Sequence, residues 1–103
     1  MPDAHSNGIL KRKMLYPAYI HQGRDGSLGI TLPDFPGCFS SVDALSGVHQ
    51  AVQEAVEVHF EGESFQVPEP STPKQWRDDE RYQGGYWMLV EIDLRLLATQ
   101  TIN

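Results

Sequence analysis

The twelve residues Leu28-Gly29-Ile30-Thr31-Leu32-Pro33-Asp34-Phe35-Pro36-Gly37-Cys38-Phe39 hold a strand, its end and the start of the next one. Leu28, Ile30 and Leu32 alternate with Gly29 and Thr31, the period-two pattern of a half-buried strand. Pro33 and Pro36 then remove two main-chain donors and restrain the residues before them, so the chain must turn there. Cys38 to Val42 is short, apolar and β-branched enough to return as another strand. Upstream, Gly23-Arg24-Asp25-Gly26-Ser27 contains the Asp-Gly pair that tight hairpins favour. Before it, Leu15 to Gln22 places Tyr16, Ala18 and Ile20 on one face and Pro17, Tyr19 and His21 on the other. That is a first strand, and Pro17 predicts that it lies at a sheet edge.

Downstream, Asp43 reads as a helix N-cap ahead of Leu45, Val48, Val52, Ala55, Val56, His59 and Phe60, which recur at three- and four-residue spacing. The pattern predicts an amphipathic helix of about four to five turns, with Gln50, Gln53, Glu54, Glu57 and Glu61 outward and Gly62 as its C-terminal cap. Phe65 and Val67 suit a short extended segment, and Pro68, Pro70 and Pro73 forbid a regular helix through the loop beyond. After Gly84 and Gly85 a final strand alternates Tyr86, Met88, Val90, Ile92 and Leu94 with Trp87, Leu89, Glu91, Asp93 and Arg95.

The order β-β-β-α-β predicts an α+β fold: a small antiparallel sheet with one helix packed on one face. A single helix leaves the second face, with Tyr19, Phe39, Trp87 and Leu89, in need of cover. Either the loop from Phe65 to Tyr82, with Trp76, folds over it, or self-association or a partner covers it. That face is where function is expected.

With 103 residues the chain suits one domain. Fourteen acids against eight bases give a net charge of −6, and three of the bases are Lys11, Arg12 and Lys13. A body this acidic repels phosphate backbones, which disfavours nucleic acid and favours a basic protein partner. The lone Cys38 excludes an intramolecular disulfide and makes a reducing cytoplasm the simplest location. No apolar run suits a membrane span. Residues 1–13, which include His5, Ser6, Asn7 and Gly8 without periodicity, read as a flexible leader or expression remnant, with the folded domain over 14–103.

The histidines, hydroxyls and acids are the side chains that could carry chemistry. His49 and His59 are ten apart and do not align on a helix, so no metal site is expected. His59 falls on the apolar stripe, where it packs, and His21 sits at a hairpin mouth in solvent. Cys38, Ser40 and Ser41 lack the elbow of a serine hydrolase. Asp25 and Asp34 suit turns and Asp43 a cap, while Glu91 and Asp93 merely share a strand face, so a metal-dependent carboxylate site is the weaker alternative.

Four blocks in order resemble the HicB-type antitoxins of toxin–antitoxin pairs: the hairpin from Tyr16-Pro17 to Asp25-Gly26, the run Leu32-Pro33-Asp34-Phe35-Pro36-Gly37-Cys38-Phe39, the helix Gln50-Ala51-Val52-Gln53-Glu54-Ala55-Val56, and Val67-Pro68-Glu69-Pro70-Ser71. The resemblance implies a partial ribonuclease-H-like domain without that enzyme's carboxylates, needing no cofactor. It implies a small basic HicA-type toxin, an mRNA ribonuclease, as partner, and a homo-oligomer, dimer or tetramer. Two departures stand out. Val42-Asp43-Ala44-Leu45-Ser46-Gly47 lacks the acid that relatives place in the first helical turn. Only eight residues follow Arg95, so direct DNA binding through a C-terminal module is doubtful.

The reading is therefore an antitoxin, not an enzyme, that covers the RNA-binding and active surface of a basic toxin. Asp34, Phe35, Phe39, Trp87 and Leu89 are its expected partner contacts; turn chemistry for Asp34 and core packing for the aromatics are the competing roles. The other readings are a metal-dependent ribonuclease-H-like nuclease relying on Asp25 or Asp34, and an oligomeric interaction module without catalysis.

Overall fold

The computed structural model describes residues 13–60, 67–95 and 97. Among the described residues the strands are β1 (Lys13–Gln22), β2 (Leu28–Thr31), β3 (Phe39–Val42) and β4 (Tyr86–Asp93), with the α-helix α1 (Val48–His59) between β3 and β4. They form one antiparallel sheet in the order β3-β2-β1-β4. The predicted β-β-β-α-β succession is present.

The hairpin closes as its turn residues dictate. Gly26 takes a φ of 89°, a conformation open to glycine, and its N–H donates to the Gly23 carbonyl at 3.1 Å. Asp25 accepts from the Ser27 N–H and hydroxyl at 3.0 and 2.7 Å, which stiffens the tip.

β1 is central rather than at an edge, a correction to the reading of Pro17. It pairs with β4 from Lys13 to Ile20 but with β2 only from Tyr19 to Gln22. Beside Pro17, β2 has already ended at the Tyr19–Thr31 pair, so the missing donor interrupts no ladder on that side. Lys13, assigned to the leader by composition, opens β1; residues 1–12 lie outside the described part.

Strand parity sends Tyr16, Ala18, Ile20, Ile30, Val90 and Ile92 to one face, where Val48, Val52 and Val56 of α1 meet them in a single buried cluster. The helix begins later than expected. A 3-10 turn covers Leu45–Gly47, with Leu45 half exposed, and the N-cap of α1 is Gly47 with no side-chain cap. Asp43 therefore caps nothing. Without a first-turn acid and with glycine at the junction, the tighter turn replaces the first α-turn. The helix ends at His59, with Phe60 at its C-cap; the expected cap Gly62 lies outside the described residues.

Gln53, which periodicity places outward, ties α1 to β4. Its amide Nε2 donates to the Asp93 carbonyl at 3.1 Å, and its Oε1 accepts from the Asp93 N–H at 2.8 Å. Both main-chain groups of Asp93 are thereby satisfied at the end of an edge strand.

Burial raises two acid groups in this core. The Tyr16 hydroxyl, pushed up first by desolvation and then by the carboxylates of Asp34 and Glu69, moves from 10.0 to about 12. Desolvation moves the Cys38 thiol from 9.0 to about 11. In each case the unfolded chain loses its proton first, so the stability linked to the neutral group is whole below the unfolded value and is lost as pH rises through the folded one. Stability should fall from pH 9 upward, with the Tyr16 part, on the order of 2–3 kcal/mol, lost between about pH 10 and 12. Denaturant titrations across this range check it. Tyr16→Phe should flatten the upper part of the decline, and an equally steep decline in that variant would contradict the assignment.

Candidate functional site

The second face carries Leu15, Pro17, Tyr19, Thr31, Phe39, Trp87 and Leu89 by strand parity. The segment 67–85 covers its middle. Tyr82 is buried against Tyr19 and Trp87, with ring centroids 5.2 and 5.3 Å apart, and Trp76 stands edge-on to Tyr82 at 5.9 Å. Tyr19 and Trp87 complete the cluster at 5.0 Å. Of the two covers considered for this face, the loop accounts for the centre.

Long-range hydrogen bonds fix the path of that segment. The Tyr16 hydroxyl donates to the Pro68 carbonyl at 2.7 Å. Asp34 accepts from the Ser71 N–H at 2.9 Å and from its hydroxyl at 3.0 Å, and the Ser71 oxygen accepts from the Trp76 indole N–H at 2.7 Å. Thr72 and Gln75 cap the 3-10 turn Pro73–Trp76 reciprocally. At the far end the Gly85 N–H donates to the Tyr19 hydroxyl. Gly85 approaches β1 so closely that a Cβ would run into the Ile20 carbonyl oxygen.

The expected contact residues therefore separate. Phe35 is only 1% exposed and packs against Tyr16, Phe60 and His59 at 4.9, 5.6 and 6.4 Å, so it is a core residue and presents no surface to a partner. The isolated motif could not reveal this, because the three rings come from β1 and the end of α1. Asp34 is half-buried and spends its carboxylate on Ser71, an anchor for a distant segment rather than simple turn chemistry. Trp87 is half-buried in the aromatic cluster. Phe39 and Leu89 remain open at 67% and 54%, joined by Leu15 at 52%. These lie apart: Phe39 is on β3 and Leu89 on β4, the two outer strands, at least three strand spacings or about 14 Å from each other.

Beside Phe39 a groove of about 340 Å³ runs between the start of β3 and the last turns of α1, lined also by Gly37, Glu54, Val58 and His59. Val58 is 67% exposed there. His59 packs edge-on against Phe60 at 4.9 Å, the packing role its place on the stripe predicts.

For hydrolytic chemistry the acids are poorly gathered. Asp25 is held by Ser27, which lowers its pKa through side-chain and main-chain hydrogen bonds, and Asp34 is held by Ser71. Hydrogen bonds from the exposed Arg81 and Arg95 draw the half-buried Asp79 and Asp93 down to about 2, each in a local surface pair. Among the described residues no three His, Cys, Asp or Glu side chains converge as a metal site would require, and no helix is long and apolar enough to cross a membrane.

Comparison with known proteins gives this arrangement a context. Residues 16–103 match the family model described as the HicB-like antitoxin of bacterial toxin–antitoxin system. The crystal structure of the Burkholderia pseudomallei antitoxin HicB superposes with a TM-score of 0.67 at 29% identity, over 82% of this chain and 67% of that one. A chain of the HicA3 and HicB3 toxin–antitoxin complex superposes with a TM-score of 0.64 at 32% identity, over 78% of this chain and 99% of that one. An uncharacterized 14.9 kDa protein from the rep-hol intergenic region of Haemophilus phage HP1 (strain HP1c1) is 33% identical over 84 residues, 79% of this chain and 62% of its own length. The chain thus spans less than two thirds of that phage relative. With a family match that runs from Tyr16 within β1 to the last residue, and the same fold in solved antitoxins, the chain belongs to the HicB-like antitoxin family.

Proposed function

We propose that this chain neutralises a small basic toxin of HicA type by covering the surface on which that toxin binds and cleaves RNA. The observation that carries the reading is the likeness to a chain in the HicA3 and HicB3 complex, of which nearly the whole length is matched. Charge supports it independently. From Met14 onward the chain has thirteen acids and five bases, so it attracts a cationic protein and repels the RNA competing for the same surface. The role needs no bond-making step and no cofactor. The β-β-β-α-β order is consistent with a partial ribonuclease-H-like domain that serves as a binding scaffold, and the lone thiol suits a reducing cytoplasm. Self-association through the uncovered sheet positions Leu15 and Leu89 belongs to the same reading.

The test is association with the product of the adjacent reading frame, by titration calorimetry of the two purified proteins. A stable complex is expected, with affinity falling at least about tenfold between about 50 and 500 mM salt because exposed charges drive part of the attraction. No complex at any salt concentration would remove the reading.

A further inference from the structure

Charge is distributed unevenly along the chain. Between Arg24 and Lys74 lie 49 residues with eight acids and no lysine or arginine. Among the described residues, these build β2, β3 and α1, so none of those three elements carries a lysine or arginine. Every lysine and arginine after residue 13 sits elsewhere: at the hairpin tip, in the segment over the second sheet face, or just past β4. The groove between β3 and α1 lies within this acidic stretch, with Glu54 in its wall and Phe39 and Val58 open beside it. β3 is also an outer strand, so one row of its main-chain donors and acceptors has no neighbour in the sheet.

From this juxtaposition we infer that the basic partner docks at the β3–α1 groove, placing an apolar side chain between Phe39 and Val58 and its flanking lysines or arginines toward Glu54 and the acidic side of α1. The inference rests on the reading above and locates it. An apolar centre gives affinity where water is excluded, and a rim of one sign selects a partner of the other. The opposite edge offers Leu15 and Leu89, but at that end Lys13 and Arg95 balance Glu91 and Asp93, so it has no excess of negative charge to draw a cationic partner.

The experiment compares three variants by calorimetry against the product of the adjacent reading frame. Each changes an exposed residue, and thermal melting verifies that the fold is kept. Val58→Arg is expected to weaken binding at least about thirtyfold and Glu54→Lys about tenfold, while Leu89→Arg stays within about threefold of the parent. If the parent binds and Val58→Arg and Glu54→Lys bind as tightly as it does, the location is wrong and the antitoxin reading stands. A large loss confined to Leu89→Arg would move the interface to the β4 edge and likewise overturn the inference. If the parent itself does not bind, the inference falls together with the reading beneath it.

Discussion

Phe35→Ala is expected to lower the free energy of unfolding by about 3–5 kcal/mol, the range for removing a fully buried aromatic ring from a packed core. The ring is wedged where three parts of the chain meet: Tyr16 of β1 at 4.9 Å, and His59 and Phe60 at the end of α1 at 6.4 and 5.6 Å. Its main chain closes two successive turns, donating to the Leu32 carbonyl at 3.0 Å and accepting from the Cys38 N–H at 2.9 Å. Truncation would therefore open a cavity that neither turn can collapse to fill, since Pro33 and Pro36 fix the backbone on both sides. For a domain of this size the melting temperature should drop by roughly 15 °C or more. Much or all of a marginal domain's stability would be spent. Chemical denaturation of parent and variant measures it. A loss below about 1.5 kcal/mol would mean that the ring is not the wedge described. The result also separates roles: a core residue loses binding only in proportion to lost fold, whereas a contact residue such as Phe39 would lose binding with the melt unchanged.

That distinction marks where the sequence was legible. The hairpin could be read because its signals are local: an Asp-Gly turn between two alternating runs. β4 could be read for the same reason, and its parity held to the residue. The body of α1 was clear from Val48, Val52 and Val56, but its start was not, because Asp43 has capping chemistry and lacks the position to use it. Pro17 misled in the same way. A proline signals an absent donor, and only the lengths of β1 and β2 reveal that no β2 residue stands opposite it. Contacts distant in sequence left no trace in the pattern. The Asp34–Ser71–Trp76 chain and the reciprocal pair of hydrogen bonds between Gln53 and Asp93 join residues 37 and 40 positions apart, and nothing in either segment alone announces them.

The candidate site was legible to a similar depth. The second sheet face was predicted to be apolar, and it is, but its centre is sealed by Tyr82 and Trp76. What stays open lies at the two outer strands, and choosing between them depended on combining net charge with position. The absence of lysine and arginine from residues 25–73 is visible in the sequence; that β3 and α1 within this stretch line one groove is not.

The central claim is that a folded acidic surface denies RNA access to a cationic ribonuclease. Its most direct test is cleavage of a labelled RNA by the product of the adjacent reading frame, titrated with this chain. Occlusion requires a stoichiometric end point, because one bound molecule covers one active surface. Cleavage should decline linearly with added chain and cease near equivalence, without divalent metal added for this protein's sake, and recover as salt dissociates the pair. Undiminished cleavage at molar excess, or RNA hydrolysis by the chain on its own, would contradict the account.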